Sequence, residues 1–202
     1  MCGRYIANSE DEIMEIREIL KQISMRLVNK KAALSEIFPT DKVIILTNCQ
    51  LSTVNYQLSK WGVEKWDGKG VIINAKSETY EQSRFFGSFA VNRCIIPAHG
   101  YYEWGKPNPS ASQKTKYMFT SEDKHGIFMC GIYRPIAERD RQNLRVEALD
   151  FAIITKPADE NISHIHPRMP LIIRPEQAED WLSGRAGVSE MCRCEVIYEE
   201  AV

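Results

Sequence analysis

Apolar positions recur along this chain at two different spacings. Between Ser9 and Ile23 they return at Ile13, Ile16, Leu20 and Ile23, and Ser9 with Glu12 has the spacing of a capping box, so this stretch predicts a helix. Most other apolar runs are short and rich in β-branched or aromatic residues. CGRYI (2–6), KVIILT, STVNYQLSKWGV, GVIINA, RCIIP, GYYEW, KYMFT, GIFMCGIY and DFAIIT each predict a strand. KSETYEQSRFFGSFA predicts a second helix starting near Ser77. RPEQAEDWLSG predicts a third, with Pro175 in its first turn and Gly184 just past its end. The polar stretches 105–116 and 137–147 read as surface loops. Strands come in runs with helices interspersed irregularly, the pattern of an α+β fold with mostly antiparallel sheet. With no internal repeat or low-complexity linker, residues 1–202 read as one domain.

Composition narrows the function classes without choosing one. A net charge of −1 gives no global basic field, so any nucleic-acid site has to be a local patch. Cysteines at 2, 49, 94, 130, 192 and 194 are scattered, and no signal-like or membrane-length segment appears, so a reducing cytoplasmic or nuclear setting with free thiols is expected. Cys192 and Cys194 are too closely spaced and too isolated for a zinc site and read as structural.

Four segments place polar residues at what read as strand ends. In the first, Cys2 follows the initiator methionine. Loss of Met1 would leave an α-amine and a thiol on one residue, while Gly3 keeps the neighbouring backbone uncrowded. The second, NAKSE, sets Asn74, Lys76 and Glu78 at a strand-to-helix junction, where capping alone would also explain them. In the third, PAHGYYEW, Glu103 lies between Tyr102 and Trp104. Facing inward, it would be desolvated and suited to proton transfer; strand alternation equally allows it to face solvent. The fourth, SHIHPRMP, holds His164 and His166, which would share a face on a strand, with Arg168 behind them. Nothing completes a metal-ligand set, so an acid–base or anion-binding histidine is the expectation, with no metal and no cofactor. Trp61, Trp66, Trp104 and Pro39 are candidate base-stacking surfaces. Arg4, Lys76, Arg84, Arg93 and Arg168 are candidates for a phosphate-binding patch.

Taken in order, MCGRY, WGV, INAKSE, RCIIPAHGYYEW, FAIIT and IHPRMP resemble the SOS-response-associated peptidase (SRAP) family, from Cys2 to about Ile173. Its members include bacterial abasic-site processing proteins and a eukaryotic relative first described as a 5-hydroxymethylcytosine-binding protein. The resemblance implies a β-rich curved sheet, a pseudo-barrel, with flanking helices and a shallow cleft for single-stranded DNA. It further implies that Cys2, freed of Met1, joins the aldehyde of an abasic site in a thiazolidine ring and shields the lesion. Glu103 would then shuttle protons, Asn74 would orient the amine or sugar, and His166 would act on the opened sugar hydroxyl or the adjacent phosphate. Arg4, Lys76, Arg84 and Arg168 would bind phosphates, and Pro39, Trp66 and Trp104 would stack on flanking bases. The implied partner is single-stranded DNA carrying abasic sites, met by a monomer. The family name further implies that the same groups could remove Met1 autocatalytically, and a strand-cleaving lyase step is left open. A cysteine peptidase using Cys2 and His166, and a non-covalent reader of damaged or modified DNA, are the competing readings. Two positions depart from the family pattern: Lys76 stands where an arginine is expected, and His99 where a small or acidic residue is expected.

Overall fold

The computed structural model describes residues 2–7, 36–49, 53–106, 110, 112–122, 126–139, 145–191 and 195–201. The helix expected over 9–23, like Cys192 and Cys194, lies outside these residues.

The long apolar runs form a closed ring of five strands. They are β3 (Lys42–Cys49) and β4 (Thr53–Trp61), then β8 (Arg93–Ala98), β11 (Ile127–Arg139) and β12 (Arg145–Pro157). Pairing runs β12–β4–β3–β8–β11 and returns to β12, so this barrel has no open edge. Two-sided burial explains why the strands read as continuous apolar runs. Ile45, Ile96, Met129, Phe151 and Ile153 join one core cluster, while their neighbours Leu46, Ile95, Cys130, Ala152 and Ile154 join the other. A second, five-stranded antiparallel sheet places β9 (Gly100–Gly105) between β1 (Tyr5–Ile6) and β10 (Thr115–Ser121). The sheet's outer strands are β2 (Glu36–Ile37) and β15 (Val196–Glu200), the last of which has no counterpart in the sequence reading.

GVIINA divides between two partners. β6 (Val71–Ile72) pairs with β5 (Val63–Glu64), and β7 (Asn74–Lys76) runs parallel to β12. Between them the Ile73 carbonyl accepts the Trp61 indole N–H (3.1 Å) and the Ile153 amide (3.0 Å). The last ring-side strands, β13 (Arg168–Pro170) and β14 (Ile172–Ile173), pair with β12 and β11. The expected C-terminal helix is present as a 3₁₀ turn over Pro175–Gln177 leading into α1 (Ala178–Ser183). It ends on Gly184 at φ 74°, a left-handed conformation that suits glycine.

Two expectations are corrected. Residues 77–90 form consecutive turns and a single 3₁₀ turn (Gly87–Phe89), not a helix. The Ser83 hydroxyl accepts the amides of Phe85 (3.2 Å) and Phe86 (3.3 Å), diverting donors that a helix would use. The stretch 137–147 is not a loop: β11 and β12 continue as a ladder through the Arg139–Arg145 pair, leaving only 140–144 outside the described residues. Main-chain bonds hold such a ladder whatever the polarity of the side chains.

Candidate active site

The site is assembled where β1, β7, β9 and the turn before β13 meet. β1 lies antiparallel to β9, with Tyr5 opposite Tyr101, and the Tyr102 amide donates to the Arg4 carbonyl (2.9 Å). Carrying that register on sets Gly3 opposite Glu103 and delivers Cys2 to the same end. Cys2 is wholly buried, and its carbonyl accepts the Asn74 side-chain N–H (2.8 Å). Asn74 opens β7, and the parallel pairing with Ile153 of β12 fixes its position. Its Oδ1 is buried with no hydrogen-bond partner among the described residues.

Glu103 is 5% exposed on β9, which settles the choice that alternation left open. Both faces of this strand are covered, so Tyr102 and Glu103 are buried together. The His166 Nδ1 lies 3.9 Å from the Glu103 Oε1. Burial, and after it the nearby Glu103 charge, pushes the Cys2 thiol well above its ordinary pKa. At neutral pH the thiol is therefore uncharged. The Tyr5 and Tyr101 hydroxyls are also raised, first by burial and then by Cys2, so two phenols adjoin the cysteine.

His164 and His166 part company because 160–165 form turns rather than a strand. His164 reaches the Tyr198 hydroxyl (3.3 Å), while His166 turns toward Glu103. Gly105 makes this approach possible: a Cβ there would meet Ile165 Cγ2 at 2.6 Å and the Ile165 carbonyl at 2.8 Å. The turn carrying His166 thus closes directly on the end of the strand carrying Glu103. Gly105→Val is expected to push the two apart and to slow any reaction that uses both by about tenfold or more. Stopped-flow rates set against thermal stability would separate this from unfolding.

The basic candidates divide into two kinds. Arg4 pairs with Glu36 (3.2 Å), with its guanidinium between the rings of Phe38 (4.5 Å) and Trp104 (5.0 Å). Glu36 also holds Lys116 (2.5 Å), whose ammonium lies over Tyr102 (3.8 Å). Arg168 makes a two-pronged pair with Glu78 and donates to Thr155. Those bonds hold the Glu78 carboxyl at about 2, so on acidification the pair's contribution is lost only as pH falls from the ordinary carboxylate range toward that value. By contrast, Lys76 is exposed on β7, two residues from Asn74 and on the same side of the strand. Arg84 stacks on Trp66 (5.6 Å), which is 67% exposed and leans on Phe85 (5.3 Å). Pro39 and Phe38 stand on the turn before β3, where Thr40 has φ 79° and the Phe38 amide donates to Asp41 (2.8 Å).

Two candidates are committed to packing. Trp61 is fully buried. Arg93 packs on Trp181 (4.4 Å) and donates to the Ala186 carbonyl (2.6 Å). His99 sits at the corner between β8 and β9 with its amide on the Ile6 carbonyl (2.8 Å). Among the described residues no group of three or more His, Cys, Asp or Glu could hold a metal ion. No helix among them is long and apolar enough to cross a membrane.

The family model of the SOS response associated peptidase (SRAP) matches residues 1–198. The chain belongs to the SRAP family. It is 29% identical over 186 residues to the abasic site processing protein YedK of Escherichia coli (strain K12), covering 90% of this chain and 79% of that protein. With the abasic site processing protein YoqW of Bacillus subtilis (strain 168) it shares 28% over 192 residues, covering 91% and 80%. Among solved structures, a Bordetella bronchiseptica protein superposes with a TM-score of 0.70 at 17% identity, covering all of both chains. A Bacteroides thetaiotaomicron protein follows at 0.66 and 22%, covering 94% of this chain and 84% of that one. The structural likeness shows the shared β-rich fold.

Proposed function

We propose that this SRAP protein, once relieved of Met1, captures abasic sites in single-stranded DNA as a thiazolidine on Cys2. One observation supports this above all: a buried Cys2 whose carbonyl is held by Asn74 and whose thiol feels Glu103, with His166 beyond. An N-terminal α-amine has an ordinary pKa of about 7.7–8.0, so a nucleophilic fraction exists at neutral pH, while the buried thiol remains protonated. The amine therefore attacks first. It adds to the C1′ aldehyde, and the carbinolamine loses water to give an imine. The thiol then adds to the imine carbon as its proton passes to the nitrogen. Aldehyde plus aminothiol gives thiazolidine plus water, with no redox change. Glu103 moves the protons of addition and dehydration, His166 donates toward the opened sugar hydroxyl, and the uncommitted Asn74 Oδ1 accepts from the amine or sugar. Ring closure is intramolecular, so proximity supplies much of its rate.

Lys76 and Arg84 supply exposed charge for phosphates, joined by Arg4 and by the remaining Nη1 hydrogen of Arg168. Binding should accordingly weaken with salt. Trp66, Trp104 and Pro39 offer stacking surfaces, and Trp66→Ala is expected to cost about 1–3 kcal/mol of affinity by fluorescence anisotropy. The family's peptidase title fits the same groups acting on the Met1–Cys2 bond, and intact mass after expression without aminopeptidase checks that step. The deciding experiment mixes mature protein with single-stranded DNA bearing one abasic site and resolves the product on a denaturing gel. A denaturation-resistant band that Cys2→Ala abolishes is expected. Its absence in the wild-type protein would overturn the proposal.

A further inference from the structure

Arg168 and His166 are bound to each other through the main chain. The Arg168 amide lies 3.1 Å and its carbonyl 2.9 Å from the His166 Nδ1. One or the other engages that nitrogen whichever way the ring is protonated, so the Arg168 main chain holds the ring by Nδ1, the nitrogen that also lies 3.9 Å from the Glu103 Oε1. The orientation of His166 therefore depends on where residue 168 is held.

A clamp on the Arg168 side chain fixes that position. Thr155 is fully buried in β12, between β7 on one side and β13 on the other. Its carbonyl accepts the Ser77 amide (2.8 Å) and also the Arg168 Nη2, which reaches the Thr155 hydroxyl as well (3.3 Å). Glu78 completes the clamp by taking Nη1 on one oxygen and Nη2 on the other (2.9 Å). A two-pronged guanidinium–carboxylate pair fixes direction as well as distance, which a lysine ammonium cannot do. We propose that Glu78 is a positioning residue for His166, acting through Arg168. It ties the turn carrying the histidine to the strand carrying Asn74, so that two parts of the site move as one body.

The inference rests on the abasic-site reading for its kinetic arm only. In that arm, Glu78→Gln is expected to slow single-turnover crosslinking at saturating DNA by about tenfold. Its affinity for a strand carrying the unreactive tetrahydrofuran analogue should stay within about threefold, because one rim charge is a small part of a polyelectrolyte contact. Arg168→Lys should slow crosslinking similarly, and the double variant should be no slower than either single one, since both break one unit. In the second arm, the ¹⁵N resonances of the His166 ring, identified by their loss in His166→Gln, should shift in Glu78→Gln without DNA. If Glu78 merely offset cleft charge, Glu78→Gln would tighten DNA binding and leave the rate alone. That result, multiplicative losses in the double variant, or unmoved His166 resonances would overturn the inference. Absence of crosslinking by the wild-type protein would strike the abasic-site reading instead, and the resonance arm would still decide the role of Glu78.

Discussion

Glu103→Gln is expected to slow crosslinking at saturating DNA by about a hundredfold or more, the usual reach of a positioned general acid–base group. Affinity for an unreactive abasic analogue should stay within about threefold, because Glu103 is 5% exposed and has almost no surface to offer phosphates. The substitution keeps shape and polarity but removes the proton acceptor 3.9 Å from His166 and beside the Cys2 thiol. Single-turnover kinetics on a denaturing gel, paired with anisotropy, measure both quantities. An unchanged rate would remove Glu103 from the mechanism. The variant should also lower the Cys2 thiol pKa, since a negative neighbour that raises it is gone; burial, the larger cause, stays.

The largest expected loss of stability lies away from the cleft. Asp150 is fully buried in β12, where it takes Nε (3.2 Å) and Nη2 (2.6 Å) of Arg134 and the Glu64 amide (3.4 Å). Arg134→Ala would strand this carboxylate with one long main-chain bond, and about 3–5 kcal/mol is expected to be lost. Asp150→Asn with Arg134→Met should lose far less, because it removes both charges. Urea unfolding of the three proteins tests this. Comparable losses from single and double variants would show that the site, rather than the charge, matters.

The ring strands were legible because burial on both faces turns them into uninterrupted apolar runs, as in Phe151 to Ile154. The same two-sidedness hid the orientation of Glu103, since alternation carries no information where neither face of β9 is open. Residues 77–90 misled because the Ser83 hydroxyl turns the chain from within, a competition for main-chain donors that the run of residue types does not announce. Trp61 and Trp66 look alike in sequence; one is sealed in the core and the other is two-thirds exposed, a difference set by partners far along the chain. Glu36 and Asp150 were passed over, and Glu78 was read without its partner, for that reason. Their cationic partners are Arg4 and Lys116, Arg168, and Arg134, and no local spacing announces such pairs.

Sealing Cys2 beneath Asn74 and β9 also sets a timetable. β7 is fixed by pairing with Ile153–Thr155, and His166 comes later still, so the nascent chain lacks its finished site until most of its length has left the ribosome. At about 5–20 residues per second, synthesis gives a free, flexible N-terminus of order ten seconds or more. During that interval any cellular aminopeptidase meets Met1 on an open chain. Afterwards Cys2 has no exposed surface for an outside enzyme to reach. The ratio of synthesis rate to folding rate would then govern how much of the protein is born ready to react.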